Sequence, residues 1–307
     1  MKKFEFADDN KRYHTLSYHN KTSFGGKIYK AVIDAGFTCP NIDGRKGRGG
    51  CIFCDGGSGY FTTAEISVTE QLSRESERIR KKIPNAEICA YFQAHTNTYS
   101  DIDTLRRLYK EAESFGVHSI SVATRSDCLS PEIIELFKEL SVPVTIELGL
   151  QSIHDCTAEA INRCHTYEEF LGGYNLLKSA GIRTCVHIIN GLPGETREMM
   201  IETAEVLGKL RPEGVKIHLL HVIKGTRLAE MYENGEYTPL TKEEYVDITV
   251  KQLELLPPET VIERITGDGD KSKLLAPLWS MDKISVLGAI DVCQREKDTW
   301  QGKNFEL

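Results

Sequence analysis

Three of the nine cysteines in this 307-residue chain lie within one short segment, AGFTCPNIDGRKGRGGCIFC. Two residues separate Cys51 from Cys54, and Cys39 precedes them in the same segment. No fourth cysteine or histidine lies close by in the sequence, whereas a structural zinc ion takes four protein ligands. An iron–sulfur cubane binds one cysteine at each iron. Three thiolates would therefore hold such a cluster and leave one iron open to a cofactor or a substrate.

Glycines are frequent between Cys39 and Cys51: Gly44, Gly47, Gly49 and Gly50. Because glycine has no side chain, the backbone there can wrap closely round a bulky inorganic group. Two other interpretations of these residues stay open. A structural zinc ion could recruit a distant fourth ligand such as His19 or His95, or Cys51 and Cys54 could form a redox dithiol. The dithiol leaves Cys39 and the glycine loop without a role.

Alternating strands and helices must position this loop. Short apolar runs predict strands at 30–35, 88–92, 120–123, 144–150, 183–189 and 215–220. Apolar residues three and four apart predict helices between them at 68–82, 104–114, 131–140, 167–180 and 197–210. Ser130-Pro131 marks a helix start, and Phe115-Gly116 and Ala180-Gly181 mark helix ends.

Strand–helix alternation of this kind predicts a parallel sheet with right-handed crossovers. Six units are too few for a closed eight-fold barrel, so we expect an α/β fold with a partial (β/α)6 TIM-like barrel. The predicted division is an N-terminal extension at 1–29, the barrel at 30–256 with the cysteine loop at 39–54, and a C-terminal extension at 257–307. That last part contains a further predicted strand at 260–266. Ligands of such sheets lie at the carboxyl ends of the strands.

The composition is that of a folded protein, with 40% hydrophobic and 27% charged residues. No stretch has the length of apolar sequence that a membrane helix needs, and no secretion signal follows Met1, so we expect a cytoplasmic protein without membrane contact. The net charge of −7 argues against a surface that binds nucleic acid throughout. Two local basic groups remain as candidates: Arg45, Lys46 and Arg48 in the cysteine loop, and Arg74, Arg78, Arg80, Lys81 and Lys82.

The sequence resembles the radical-SAM superfamily, and within it the elongator-type YhcC/YtqA-like branch. The resemblance starts at GFTCPN, DG and GRGGCIFC and continues through FQAHTNTYSD, ELGLQS, INRCHT, INGLPGET and HVIKGT to APLWS and TWQGK. The gap after Cys39 is longer than the commoner spacing of the superfamily's motif. The resemblance implies a radical-SAM barrel and a [4Fe-4S] cluster on Cys39, Cys51 and Cys54. This cluster would reductively cleave S-adenosyl-L-methionine to a 5′-deoxyadenosyl radical.

The resemblance also implies a set of cofactor-binding residues. Glu147 and Gln151, on and after the fourth predicted strand, would contact polar groups of the cofactor. Arg163 would clamp its carboxylate, and Gly191 and Pro193 in NGLPGET would pass beside the adenine. From the residues alone, a structural salt bridge for Glu147 and a helix-surface position for Arg163 stay open.

Other polar residues follow the second and sixth predicted strands and are candidates to face the substrate: Gln93, His95, Asn97, Tyr99, His218, His221 and Lys224. The glycine-rich stretch that usually follows the second strand in this superfamily is absent here. Helix caps and satisfied loop residues are the alternative roles for these side chains.

By resemblance, we expect a tRNA-modifying enzyme that acts on the wobble uridine and converts its carboxymethylaminomethyl group to aminomethyl. The implied partners are tRNA and an electron donor such as flavodoxin or ferredoxin. Two alternatives stay open. One is a radical-SAM enzyme for a small molecule or a tetrapyrrole, and the other is a metal-binding module without enzymatic activity.

Overall fold

A seven-stranded parallel sheet forms the centre of the computed structural model, which describes residues 4–56, 63–267 and 271–306. The nine strands are β1 (Ile28–Ile33), β2 (Glu87–Phe92), β3 (Ser119–Thr124), β4 (Val144–Gln151), β5 (Arg183–Asn190), β6 (Gly214–Leu219), β7 (Val222–Ile223), β8 (Val261–Ile265) and β9 (Leu274–Ala276). The order in the sheet is β1-β2-β3-β4-β5-β6-β8, and β7 and β9 form a separate antiparallel ribbon. The sheet curls into a half-barrel, so the predicted α/β partial barrel is confirmed.

The sheet has one strand more than the six predicted for the barrel. Strand β8 pairs parallel with β6, with Val215 opposite Ile262. The strand itself was predicted at 260–266, but it was assigned to an extension outside the barrel. The break at Pro257-Pro258 ends a helix, and the chain then returns in the same direction, so β8 completes another helix–strand unit. The other predicted boundaries stay predictions.

Ten α-helices accompany the strands in the described part of the chain. They are α1 (Leu16–Phe24), α2 (Val68–Arg80), α3 (Ile102–Ser114), α4 (Pro131–Lys138), α5 (Asp155–Ala160), α6 (Tyr167–Ser179), α7 (Arg197–Leu210), α8 (Arg227–Glu233), α9 (Lys242–Leu255) and α10 (Lys283–Glu296). Local sequence sets several starts. A capping box of Thr166 and Glu169 begins α6, and Ser130 caps α4 just before Pro131. None of these helices is long and apolar enough to cross a membrane.

The two faces of the strands have different surroundings. Alternate residues such as Ile33, Ile120 and Ile146 pack against helix residues such as Leu105 and Phe170 in one buried cluster. The residues between them point into the barrel, where polar and charged side chains meet. The barrel interior is therefore a polar network enclosed by an apolar shell.

Helix α1 lies at the amino-terminal end of the strands. It starts at the N-cap Thr15, which also bridges to Ile262 of β8, and it ends at Gly25 with φ of 72°. This helix was not predicted, because its sequence LSYHNKTSF carries no apolar stripe.

Candidate active site

The cysteine loop follows β1 at the carboxyl end of the sheet, and hydrogen bonds hold it in place. The side chain of Asn162 donates to the carbonyls of Arg48 at 3.1 Å and Gly50 at 2.7 Å. The backbone N–H of Ile52 donates to the carbonyl of Ile161 at 3.1 Å. The N–H of Leu228 in α8 donates to the carbonyl of Ile52 at 2.9 Å. The segment after α5 and the start of α8 therefore fix the loop that carries the cysteines.

One glycine of the loop has no space for a side chain. A Cβ atom at Gly47 would lie 2.2 Å from Oδ1 of Asn41 and 2.5 Å from Sγ of Cys164. Asn41 is fully buried, and its Oδ1 accepts no hydrogen bond from the described residues. Its amide nitrogen lies 3.7 Å from Sγ of Cys51 and also donates to the carbonyl of Asn162. The loop is thus built tightly around Asn41, directly beside a predicted metal ligand.

The three predicted metal ligands differ in exposure. Cys39 and Cys51 are half-buried and Cys54 is exposed. Burial raises the pKa of Cys51 to about 12. Within the described ranges, no three His, Cys, Asp or Glu side chains lie close enough together to hold a single metal ion. Three thiols on a glycine-rich loop fit a cluster that takes one cysteine per iron, and this role of the cysteines stays a prediction.

Glu147 lies at the centre of the polar barrel interior. Its side chain is 0% exposed and ion-paired with Lys30 and Lys216. It also accepts hydrogen bonds from Ser121 at 2.7 Å and Tyr91 at 2.8 Å. Burial opposes its ionisation, but the two lysines outweigh burial and hold the pKa of Glu147 well below its usual range.

A histidine completes the surroundings of Glu147. Nε2 of His187 lies 2.9 Å from Oε2 of Glu147, and burial lowers the pKa of His187 to about 4. At neutral pH the imidazole is therefore uncharged and donates to the carboxylate. Both oxygens of Glu147 are occupied by protein donors, so the structural alternative describes this residue better than a cofactor contact does.

Arg163 is also occupied by the protein. It is 1% exposed, and its guanidinium donates to the carbonyls of Leu150, Ser152 and His165. Its Nη2 atom makes no hydrogen bond to the described residues and lies 3.8 Å from a carboxylate oxygen of Asp155. The guanidinium holds the turn after β4, because it is enclosed and bound to backbone carbonyls. The predicted clamp on a cofactor carboxylate stays a prediction, with Nη2 as the donor that no described residue uses.

Gln151, Gly191 and Pro193 lie at the carboxyl ends of β4 and β5, where ligands of such barrels bind. The Gln151 amide donates to its own turn, at 2.9 Å to the carbonyl of Leu150. Gly191 has φ of 91°, and Tyr237 donates to its carbonyl at 2.7 Å. Pro193 is half-buried in the following turn. The structure places these three residues at one end of the sheet, and their contact with a cofactor stays a prediction.

The segment after β2 packs against the cysteine loop. Nε2 of His95 lies 3.0 Å from the carbonyl of Gly56, and the hydroxyl of Tyr99 donates to Asp43 at 2.9 Å. Asn97 is 1% exposed and donates to the carbonyls of Ala94 and Ala123. These bonds connect the segment after β2 to β3, and the substrate-facing role of Asn97 stays a prediction. Gln93 is half-buried at the end of β2.

The residues after β6 separate into two groups. His218 and His221 lie together beside Gly267, and Nε2 of each is buried without a hydrogen bond to the described residues. Burial lowers the pKa of His221 to about 4 and holds the pKa of His218 well below its usual range. Lys224 instead is exposed, on the ribbon of β7 and β9. The two histidines are uncharged groups with free hydrogen-bonding capacity near the end of the barrel.

Several residues of the site were not predicted: Lys30, Asn41, Asn162, His187, Glu195 and Lys216. Lys30 and Lys216 were the detectable cases, since each is a charged residue within a predicted strand. Glu195 is the fifth residue of the GLPGE segment, and burial raises its pKa. Asn41 and Asn162 carry no sequence signal, because they are ordinary loop residues until the fold brings them together.

Comparison with known proteins agrees with this geometry. Residues 42–207 match the Radical SAM superfamily model, and residues 212–293 match the Radical_SAM C-terminal domain. The uncharacterised protein YtqA of Bacillus subtilis is 42% identical over 99% of this chain and 96% of its own length. The tRNA uridine(34) acetyltransferase of Methanocaldococcus jannaschii is 32% identical over 55% of this chain and 31% of its own length.

A solved structure shares the fold. The archaeal Elp3 of Methanocaldococcus infernus, with its N-terminus deleted, superimposes with a TM-score of 0.69 at 19% identity. The match covers 90% of this chain and 64% of that one. From the cysteine loop, the half-barrel and these similarities together, the chain belongs to the radical SAM superfamily, in its elongator-like branch.

Proposed function

We propose that this radical SAM enzyme modifies tRNA at the 5-substituent of the wobble uridine, by conversion of a carboxymethylaminomethyl group to aminomethyl. The observation that carries the proposal is the similarity of half of the chain to tRNA uridine(34) acetyltransferases. A [4Fe-4S] cluster on Cys39, Cys51 and Cys54 would supply the electron that cleaves S-adenosylmethionine and so allows hydrogen abstraction from the carbon between the substrate nitrogen and its carboxylate. Return of one electron from this carbon radical to the oxidised cluster would give an imine, and hydrolysis of the imine would leave the aminomethyl group and release glyoxylate.

The protein's own residues would bind and orient the modified base. The carboxyl end of the barrel offers uncharged hydrogen-bonding groups in His218 and His221, whose lowered pKa values keep them neutral at pH 7. A neutral imidazole donates at one nitrogen and accepts at the other. This pair could therefore bind the amine and the carbonyl oxygens of a modified uracil without competing for a proton.

Not every basic residue is available for RNA. On and just after α2, Arg74 pairs with Glu70, Arg78 with Glu75 and Lys81 with Glu77, so three of the five cations of this group are already paired. Lys46 pairs with Asp127 at 3.0 Å and Glu169 at 2.8 Å. Lys46, Arg74 and Arg78 are therefore weaker candidates for RNA contacts than basic residues that have no carboxylate partner.

A second set of exposed cations surrounds the cysteine loop. Arg45 and Arg48 in the loop, and Lys224 and Arg227 beside it, are exposed and form no ion pair within the described ranges. Lys273 lies on the same ribbon as Lys224, and its Nζ is 3.5 Å from Asp55, next to Cys54. We assign the four unpaired residues, Arg45, Arg48, Lys224 and Arg227, which we call the loop-rim cations, to contacts with the tRNA backbone.

Nucleoside mass spectrometry of bulk tRNA tests the substrate. A strain that lacks the gene should accumulate the carboxymethylaminomethyl form and lose the aminomethyl form, and expression of the wild-type chain should restore it. Expression of a Cys51→Ala variant should not. An unchanged wobble-uridine profile in the deletion strain would reject the tRNA proposal.

Binding measurements test the surface. Arg45→Glu/Arg48→Glu should weaken tRNA affinity and reduce its salt dependence, since each lost phosphate contact lowers the salt slope by about one. The matched control is Arg74→Glu/Arg78→Glu on α2, whose cations are already paired. Equal losses from both pairs of substitutions would contradict the assigned surface.

A small-molecule or tetrapyrrole substrate is the second candidate, and the net charge of −7 favours it. The two candidates share the need for a reductant, for which flavodoxin or ferredoxin is the proposed class. This alternative would be selected if the reduced protein releases 5′-deoxyadenosine while the wobble-uridine profile of tRNA from the deletion strain is unchanged. A colourless zinc protein would instead leave only the non-enzymatic metal-binding module.

A further inference from the structure

A cavity of about 130 Å³ lies at the amino-terminal end of the barrel, opposite to the cysteine loop. The strands that surround it contribute residues from their first halves, among them Ile28, Ser119 and Val144. Helix α1 covers the cavity with Leu16 and Asn20. We call this space the basal cavity. The polar layer around Glu147 separates it from the carboxyl ends of the strands.

The charges at the wall of the basal cavity come from β1, β5 and β8. Glu263 accepts from Lys30 at 3.0 Å and from Arg183 at 2.7 Å, and its side chain is 2% exposed. Each of its two oxygens therefore already has a cationic partner. At this wall, the cations of Lys30 and Arg183 face the single carboxylate of Glu263. Lys30 also pairs with Glu147, which has Lys216 as a second partner.

Polar atoms at the cavity have no protein partner. Nη2 of Arg183 is buried and donates no hydrogen bond to the described residues. The same holds for Nδ1 of His118. Asn20 is 9% exposed, and its side chain forms no hydrogen bond in the part of the chain that the structure describes. Because buried donors without partners are costly, these groups indicate that something accepts their hydrogen bonds.

The rest of the wall is partly apolar, with His19, Ser121 and Thr145 as further polar residues, and it has an opening. Leu16, Ile28, Pro143 and Val144 line the cavity, and Phe24 at its edge is 46% exposed. Cavities of about 150 Å³ hold one benzene molecule. The basal cavity therefore suits a molecule of about six heavy atoms with an apolar body.

We propose that the basal cavity is a binding site for a small aliphatic monocarboxylate, with its carboxylate at Arg183 and its hydrocarbon part against α1 and the start of β4. The carboxylate accepts from the guanidinium N–H that no protein atom uses, and Asn20 or His118 donates to it as well. This site lies away from the cysteines, so it is independent of the proposed reaction and of tRNA.

Isobutyrate is the probe, tested by ligand-observed NMR or calorimetry on the full chain with its cluster, under anoxic conditions. We expect saturable binding below about 10 mM. The uncharged analogue isobutyramide has almost the same shape and should bind at least about tenfold more weakly, because it lacks the charge that Arg183 recognises. Absence of saturable binding, or equal binding of both compounds, would overturn the proposal.

Cavity-filling variants locate the site. Ser119→Leu places a larger side chain at the cavity wall and should weaken isobutyrate binding at least about tenfold. Ser179→Leu, at an exposed position of α6, is the matched control and should bind as the wild type does. If Ser119→Leu does not fold, Asn20→Leu fills the cavity from the opposite wall. Wild-type binding by a folded filled variant would show that isobutyrate binds elsewhere and would refute the assignment.

Discussion

Replacement of Glu147 by glutamine should destabilise the protein strongly. The amide keeps the shape of the side chain but removes the charge that pairs with Lys30 and Lys216. Lys30 retains Glu263 at 3.0 Å, whereas the next polar contact of Lys216 is the Tyr91 hydroxyl at 3.5 Å. Loss of one partner from a buried ion pair costs about 3–5 kcal/mol. At about 2–4 °C per kcal/mol, the expected fall in Tm is about 6–20 °C.

Urea unfolding followed by circular dichroism measures this effect as a change in the free energy of unfolding. Glu87→Gln, at the exposed first residue of β2, is the control and should change it by less than about 0.5 kcal/mol. In the double variant Glu147→Gln/Lys216→Met, the unpaired lysine is also gone. The double variant should therefore lose less stability than the sum of the single variants, by at least about 1 kcal/mol.

The same variant separates the two roles considered for Glu147. If Glu147→Gln unfolds within about 1 kcal/mol of the wild type while the affinity for S-adenosylmethionine falls, the residue is a cofactor ligand and the ion-pair interpretation is wrong. A large loss of stability with cofactor affinity preserved in the folded fraction supports the interpretation given above.

Three further outcomes are expected. Gly173→Ala should destabilise the chain by more than about 3 kcal/mol, because its Cβ would lie 2.3 Å from the backbone oxygen of Ser126, whereas Gly172→Ala, with open space around it, should be neutral or stabilising; equal unfolding midpoints would contradict this packing. Burial and the neighbouring Arg163 lower the pKa of His165 to about 3, so below pH 6.5 the unfolded state binds one more proton at this residue, which should contribute a fall of about 1.4 kcal/mol per pH unit in the free energy of unfolding beside the contributions of His187, His218 and His221. His165→Phe should reduce that slope by about one proton in urea titrations between pH 6 and 5, and an unchanged slope would show that His165 is not the group responsible. Arg163→Lys should cost about 2–3 kcal/mol of stability through lost carbonyl contacts yet change the affinity for S-adenosylmethionine less than about threefold. A loss of that affinity without a loss of stability would show that Arg163 binds the cofactor carboxylate.

The regular elements were largely predictable because the signals for them are local. All six predicted barrel strands occur within two residues of their predicted limits, and α7 matches the predicted range 197–210. Apolar runs bounded by helix caps and glycine stops carry this information. Helices α1, α5 and α8 were missed because they are short and their apolar residues do not repeat with a helical period.

The site was predictable only in part, because its polar residues are defined by contacts far apart in the sequence. The sequence indicated that Glu147 needs a partner, but not that Lys30 and Lys216 supply it from two other strands. For Arg163, the position after β4 indicated a cofactor contact, and only the fold shows that backbone carbonyls use its donors. The position of a residue along its own strand determines which face of the sheet its side chain is on. Its contacts with residues of other strands depend on how the sheet curls.

The hydrogen bonds that hold the cysteine loop have a consequence for how the enzyme is assembled. Asn162 and Ile161 fasten the loop from one side and Leu228 from the other, with contacts between 2.7 and 3.1 Å that involve no thiol. These contacts specify the loop's shape without a metal, so the proposed cluster would be inserted after folding, as a late step of maturation. Folded protein without iron should then take up iron and sulfide without being unfolded first.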